Sequence, residues 1–145
     1  MNYKNTSHTI YECNYHIVWI TKYRYKVLVW DIARRLIELI RRISEENGVE
    51  IIRWTIWEWN HVHIYVSIPP YLSVSEYVKL VKWKSSNYIQ REFPEIRKRY
   101  WWKHFWWVWY FVRSSWNVTD EEIKNYIENH SERWKDSKFW EFTIS

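Results

Sequence analysis

Glycine is almost missing from this chain. Gly48 is the only one in 145 residues, where average usage of about 7% would supply roughly ten. A fold with several tight turns needs residues that tolerate positive φ, and bulky side chains do so poorly. Cysteine also occurs once, as Cys13, which excludes an internal disulfide and a cysteine-rich zinc module. No apolar run approaches the roughly 18 residues of a membrane span. The polar start, residues 1–8, does not resemble a secretory leader, so the expected compartment is the cytoplasm, with no membrane partner. No glycine-rich loop is present to cradle a nucleotide phosphate, so no nucleotide cofactor is expected. Linkers, internal repeats and low-complexity segments are absent as well, and residues 1–145 read as a single domain.

What is present is basic and aromatic. The formal net charge of +5 leans toward an anionic partner, nucleic acid first. Residues 11–20 are rich in Tyr, Ile, Val and Trp and predict a first strand. Lys22, Tyr23, Arg24, Tyr25 and Lys26 then interleave cations with aromatics, a composition suited equally to phosphates with stacked bases and to an ordinary solvated loop. Ile32, Leu36, Leu39, Ile40 and Ile43 recur at helical spacing and predict a helix over 31–47. Asp31 is expected to cap its start and Gly48 to follow its end. The arginines at 34, 35, 41 and 42 lie largely off the apolar stripe and read as a solvated face. Two strands follow, 49–57 and 61–68, close enough to form a hairpin. Ser73 and Glu76 frame a capping box for a helix running to about Phe93, where Pro94 ends it. Arg97, Lys98 and Arg99 form a basic cluster before an aromatic strand within 100–111. Thr119 and Glu122 frame a second capping box for a last helix reaching about Trp134, and a short strand over 139–144 closes the chain. The order β-α-β-β-α-β-α predicts an α+β fold. Its first six elements match the ferredoxin-like split βαβ plan, an antiparallel sheet with helices on one face, and the last helix is an addition.

The segment from Asn60 to Val66 alternates. Val62, Ile64 and Val66 point to one face, and His61, His63 and Tyr65 to the other. Two imidazoles on one strand face, about 7 Å apart along the backbone, are a natural start for a metal site. A wet strand face that happens to carry two histidines fits this stretch equally well. His16 and His104 have no partner at ligand spacing and read as structural or surface residues. In the last helix Tyr126 and His130 lie four apart, on one face. If that face meets the His61/His63 strand, three nitrogen ligands and a tyrosine hydroxyl converge. A divalent ion held there can polarise a phosphate, and Tyr126 can attack it to form a phosphotyrosine. Taken singly, Tyr126 reads as a packed helix aromatic and His130 as a histidine favoured by the helix dipole.

Several motifs together carry a resemblance. Tyr15-His16-Ile17-Val18-Trp19 with Lys22-Tyr23-Arg24, Asn60-His61-Val62-His63-Ile64, Lys82-Trp83-Lys84-Ser85-Ser86, Trp109-Tyr110-Phe111, and Lys124-Asn125-Tyr126 resemble the single-tyrosine HUH transposases of small insertion sequences, the IS200-like transposases. The similarity runs over nearly the whole length. It implies a homodimer that cleaves and rejoins single-stranded DNA through a 5′-phosphotyrosine, recognising hairpins at the element's ends. Tyr126 would be the nucleophile, and His61 and His63 would bind Mg²⁺ or Mn²⁺. His130 would be the third ligand, standing where the family commonly has Gln. Asn60 stands where the family often has Asp. DNA contacts are expected from Lys22, Tyr23, Arg24, Lys82, Lys84 and Arg97. Two alternatives carry less of the pattern: a domesticated relative that processes chromosomal palindromic repeats, and a non-catalytic single-stranded nucleic-acid-binding module. A small metal-binding protein would leave Tyr126 and the basic runs without a role.

The 14 tryptophans complete the picture begun by the missing glycines. Trp83, Trp107 or its neighbours, Trp109 and Trp116 stand where the resemblance calls for small residues, usually glycine, and Trp30, Trp54 and Trp102 sit at turn-like places. Trp19, Trp101 and Trp106 read as true tryptophans. The pattern is the one that results when UGA codons, decoded as glycine in the source organism, are written as tryptophan.

Overall fold

The computed structural model describes residues 4–5, 10–11, 13–101, 103–114, 119, 121–123 and 125. The elements are β1 (Lys4–Asn5), β2 (Ile10–Tyr11), β3 (Asn14–Thr21), α1 (Trp30–Glu46), β4 (Glu50–Trp57), β5 (His61–Ser67), α2 (Val74–Glu92), α3 (Pro94–Tyr100) and β6 (Trp106–Arg113), with a 3-10 turn over Lys22–Arg24. β1 and β2 form a small separate ribbon, and the main sheet has the order β4-β5-β3-β6. Each neighbouring pair in it is antiparallel. This is the ferredoxin-like arrangement expected from the element order. The expected first strand over 11–20 is divided, since Ile10–Tyr11 pairs with Lys4–Asn5 and β3 itself begins at Asn14.

Strand alternation gives the sheet two different faces. On one, Ile17, Trp19, Val62, Ile64 and Val66 join Leu36, Leu39, Ile40 and Ile43 of α1 and Tyr77, Val81 and Ile89 of α2 in the main core. On the other, Val18, Trp57 and Ile123 are buried together, with Phe111 packed against them. This second face also carries His16, His61 and His63, because His63 pairs with Val18 and His61 with Trp57.

Local chemistry explains most helix ends. Gly48 follows α1 at φ +70°, the left-handed conformation glycine takes at least cost. α1 starts one residue earlier than expected, at Trp30. Asp31 does not cap it, since Val29 holds the cap position without a side-chain bond and Asp31 instead pairs with Arg34 inside the first turn. Ser73 caps α2 by accepting from the Glu76 amide at 3.1 Å. Arg35 is not simply solvated: its guanidinium donates two bonds to Glu92, at 2.8 and 2.9 Å, tying α1 to the last turn of α2. Pro94 ends α2 and also opens α3, a helix not expected from the sequence. A proline at the first helical position gives up only an amide that has no partner there. Residues 121–123 and 125 are helical. Thr119 Oγ1 accepts from the Glu122 amide at 3.1 Å, and the Glu122 carboxylate accepts from the Thr119 amide at 3.3 Å, both halves of the expected box. The remainder of that helix and the closing strand over 139–144 lie outside the described residues.

Among the described residues, six other than glycine have left-handed φ: Tyr23, Arg24, Trp30, Glu58, Trp59 and Trp101. Glu58 and Trp59 are the central residues of the turn closed by the Asn60 amide on the Trp57 carbonyl at 3.1 Å, where both positions have positive φ and glycine is favoured second. Trp101 is the left-handed C-cap of α3 and is 78% exposed. A C-cap in this conformation is a position where glycine is the usual residue. Trp30, Trp54, Trp59, Trp83 and Trp109 are exposed as well, whereas Trp19, Trp106 and Trp107 are buried. Trp102 and Trp116 lie outside the described residues. Among the described residues, no helix is long and apolar enough to cross a membrane.

Candidate active site

The face that carries the histidines is not wet. His16, His61 and His63 are all buried. His63 lies at the centre of the sheet, with Trp57 beside it at 5.0 Å between ring centroids. His16 comes from the adjacent strand, and its Nδ1 is 3.1 Å from His63 Nε2. Its ring also stacks on Tyr65 at 4.3 Å. His16 was expected to have no partner. The strand register supplies one, because β3 and β5 run antiparallel and place residues 47 apart in sequence side by side.

His61 is held from its own strand. Asn60 Oδ1 lies 2.6 Å from His61 Nδ1, while Asn60 Nδ2 donates to the Arg24 carbonyl at 2.9 Å. The Asn60 carbonyl accepts from the Thr21 amide at 3.0 Å. The basic loop after β3 is therefore tied to the histidine strand. The loop is also fixed elsewhere: Thr21 Oγ1 donates to the Tyr25 carbonyl at 2.7 Å, Tyr100 Oη to the Lys22 carbonyl at 3.1 Å, and the Lys22 amide to the Phe105 carbonyl at 2.9 Å. The rings of Tyr23, Tyr25 and Tyr100 cluster over it, and Arg99 sits over Tyr25 at 4.1 Å. Burial pushes the Tyr100 phenol well above its ordinary range, so it stays a protonated donor.

On the helix side, α2 and the segment leading into β6 enclose a cleft of about 720 Å³. Lys22, Lys79, Lys82 and Lys103 line it with His104 and Trp83. Lys82 donates to the Trp107 carbonyl at 2.6 Å, and burial pushes its ammonium down to about 8. The Lys22 ammonium is also lowered, first by burial and then by repulsion from Lys103. Below, the buried Ser85 hydroxyl accepts from Trp106 Nε1 at 2.9 Å. This fixes the serine of the Lys-Trp-Lys-Ser-Ser segment as a packing element between α2 and β6.

Of the residues singled out from sequence, the structure brings His61 and His63 to one face and Lys22 and Lys82 to one cleft. Tyr23 and Arg24 are exposed on the loop. Lys84 turns toward α1, 4.0 Å from Glu46, and Arg97 sits on α3, away from the cleft lining. Tyr126 and His130 lie outside the described residues. Among the described residues no group of three His, Cys, Asp or Glu side chains could hold a metal ion, so a metal at this face would need donors besides His61 and His63. Their chemistry fits a divalent cation, since imidazole nitrogens are its commonest protein donors. Lys79 and Lys103 were missed because isolated lysines on a helix and in a loop carry no local signal, and His16 because its partner is non-local.

Residues 9–130 match the family model described as "Transposase IS200 like". The chain is 29% identical over 124 residues to the ISDra2 transposase TnpA of Deinococcus radiodurans, covering 86% of this chain and 88% of that one. It is 30% identical over 129 residues to the transposase of insertion sequence element IS200 from Salmonella typhimurium, covering 89% and 84%. Its fold is similar to the crystal structure of a Deinococcus radiodurans transposase at 30% identity and a TM-score of 0.76, covering 87% of this chain and 96% of that one. At 15% identity, a REP-associated tyrosine transposase bound to a REP hairpin shares the fold, with a TM-score of 0.57. With residues 9–130 matched by the family model and a transposase relative 30% identical over most of both chains, the chain belongs to the IS200-like transposase family.

Proposed function

We propose that this transposase cleaves and rejoins single-stranded DNA through a covalent bond to Tyr126, assisted by a divalent metal ion, Mg²⁺ or Mn²⁺, held by His61, His63 and His130. The observation that carries the reading is the position of Ile123. It is buried against Val18 and Trp57, next to both histidines of β5. The last helix therefore begins on the histidine face. In a continuing helix, positions 123, 126 and 130 follow the i, i+3, i+7 spacing of one stripe, which supports Tyr126 and His130 meeting that face. A metal ion bound there would polarise the scissile phosphate and stabilise developing charge.

The protein's own residues do the rest of the chemistry. The Tyr126 hydroxyl, ordinarily near pKa 10, gives its proton to water as its oxygen bonds to phosphorus. The bond from phosphorus to the 3′-oxygen breaks, and that oxygen takes a proton from water. A 5′-phosphotyrosine and a free 3′-hydroxyl result. The reverse attack by another strand's 3′-hydroxyl rejoins DNA without nucleotide hydrolysis. Lys22 and Lys82 in the cleft, Tyr23 and Arg24 on the fixed loop, and Lys84 and Arg97 outside the cleft lining are the proposed DNA contacts. The hairpin in the REP-associated relative supports a hairpin ligand here, and the family likeness supports a homodimer whose last helix completes a site in its own or the partner subunit.

The test is incubation of a labelled single-stranded hairpin oligonucleotide from the cognate element's end with Mn²⁺, followed by a denaturing gel. Wild type should give a covalent adduct and Tyr126→Phe none. An adduct that persists in the variant would overturn the assignment.

A further inference from the structure

We infer that Asn60 is a positioning residue that sets the tautomer of His61 and ties it to the basic loop. An amide side chain can present either its oxygen or its nitrogen to a neighbour. Here one end faces the Arg24 carbonyl at 2.9 Å, which can only accept, so that end must be the NH₂. The other end, 2.6 Å from His61 Nδ1, is then the carbonyl oxygen, and Nδ1 must carry the ring proton. Nε2 is left as the acceptor nitrogen, the form a metal requires, with the second-sphere bond that holds a ligating imidazole in orientation. Asn60 is buried and its backbone carbonyl accepts from the Thr21 amide, which fixes the residue, and turning the side-chain amide over would set its oxygen against the Arg24 carbonyl. The left-handed backbone at Tyr23 and Arg24, φ 63° and 57°, aims the Arg24 carbonyl at it. A loop proposed to touch DNA and a residue proposed to touch metal thus share one hydrogen-bond chain.

The role in metal binding rests on the reading above, and the tautomer does not. In ¹⁵N-labelled, metal-free protein at a pH above the imidazole range, long-range ¹H–¹⁵N correlation should show His61 protonated at Nδ1. Asn60→Ala should mix the tautomers and weaken Mn²⁺ binding by about 10- to 100-fold, with the fold monitored by melting. Asn60→Asp, which keeps the acceptor, should restore both. An Nε2-protonated His61 in wild type would overturn the inference, as would an Asn60→Ala protein with wild-type tautomer and affinity. An Nδ1-protonated wild type that binds no Mn²⁺ would uphold the tautomer assignment and refute the metal reading instead.

A different observation carries a second inference: the natural polypeptide has glycine at positions 30, 59 and 101. Three of the six left-handed residues other than glycine are tryptophans, the bulkiest residue at the conformation least suited to a side chain. All three are exposed, Trp30 by 79%, Trp59 by 45% and Trp101 by 78%, and the ring contact of Trp30 is with Trp59 itself, at 5.8 Å between centroids. Trp30 and Trp59, with Trp54, also create the only large aromatic wall of a surface hollow beside Arg34 and Arg41, which glycines would erase. Trp19, by contrast, is fully buried in the main core, the packing a true tryptophan makes. Sequencing the gene should show UGA at 30, 59 and 101 and UGG at 19, and peptide masses from the source cells should show glycine at the first three. UGG codons at 30, 59 and 101 would overturn the inference.

Discussion

His16 Nδ1 lies 3.1 Å from His63 Nε2 across the β3–β5 ladder. In a hydrogen bond between two imidazoles, one ring nitrogen donates and the other accepts. His16→Phe keeps a ring stacked on Tyr65 and removes that bond from a buried nitrogen. The expected cost is about 1–3 kcal/mol, read as a lower urea midpoint. An unchanged midpoint would show that the pair contributes nothing to stability.

Lys82 is a cation kept where burial opposes it. Its pKa falls from 10.5 to about 8, so at neutral pH the charged form costs the folded state roughly 3 kcal/mol. Between pH 8 and 10.5 the unfolded chain holds more protons, and stability rises with pH through that window. Lys82→Met should be more stable than wild type at pH 7, should lose the rise above pH 8, and should bind single-stranded DNA more weakly. A variant that is both less stable and fully competent in binding would refute the account. DNA binding by wild type should also weaken as pH passes 8.

Lys79 and Lys103 line the cleft and are exposed to a ligand. Replacing either with Gln should flatten the salt dependence of DNA binding by about one charge. Lys84→Gln, at a side chain turned toward Glu46, should flatten it less. None of the three should alter Mn²⁺ binding, because the histidines occupy the other face of the sheet. Titrations at several salt concentrations decide the point.

Trp59→Gly and Trp101→Gly should each stabilise the protein by about 1 kcal/mol, the cost of a left-handed backbone at a residue with a Cβ. Trp19→Gly, at a fully buried site, should lose at least about 3–5 kcal/mol. Thermal melts of the three variants separate the two kinds of tryptophan. Equal losses in all three would mean that the exposed rings pack in solution.

The sequence made the fold legible wherever a signal was local. Alternation at His61 to Val66 marked a strand with histidines on one side, and the Ser73 and Thr119 boxes marked two helix starts. What escaped was non-local or ambiguous. Pro94 marks a stop and a start with the same residue, so α3 was missed. Asp31 had the chemistry of a cap but found Arg34 within its own turn. His16 looked partnerless because spacing along the chain says nothing about the strand beside it. The nucleophile and third ligand rested on the spacing of Tyr126 and His130 and on the resemblance. Ile123, on the histidine face, bears on them without reaching them.

The bonds that fix the Lys22–Tyr25 loop bear on the energetics of association. The carbonyls of Lys22, Arg24 and Tyr25 are each bonded within the protein, so this segment surrenders its conformational freedom when the chain folds. A flexible basic loop would surrender it on meeting DNA and would lose affinity by the same amount. Here the ordering entropy falls on folding stability, and the loop proposed to meet a phosphate backbone already has its shape before any ligand arrives.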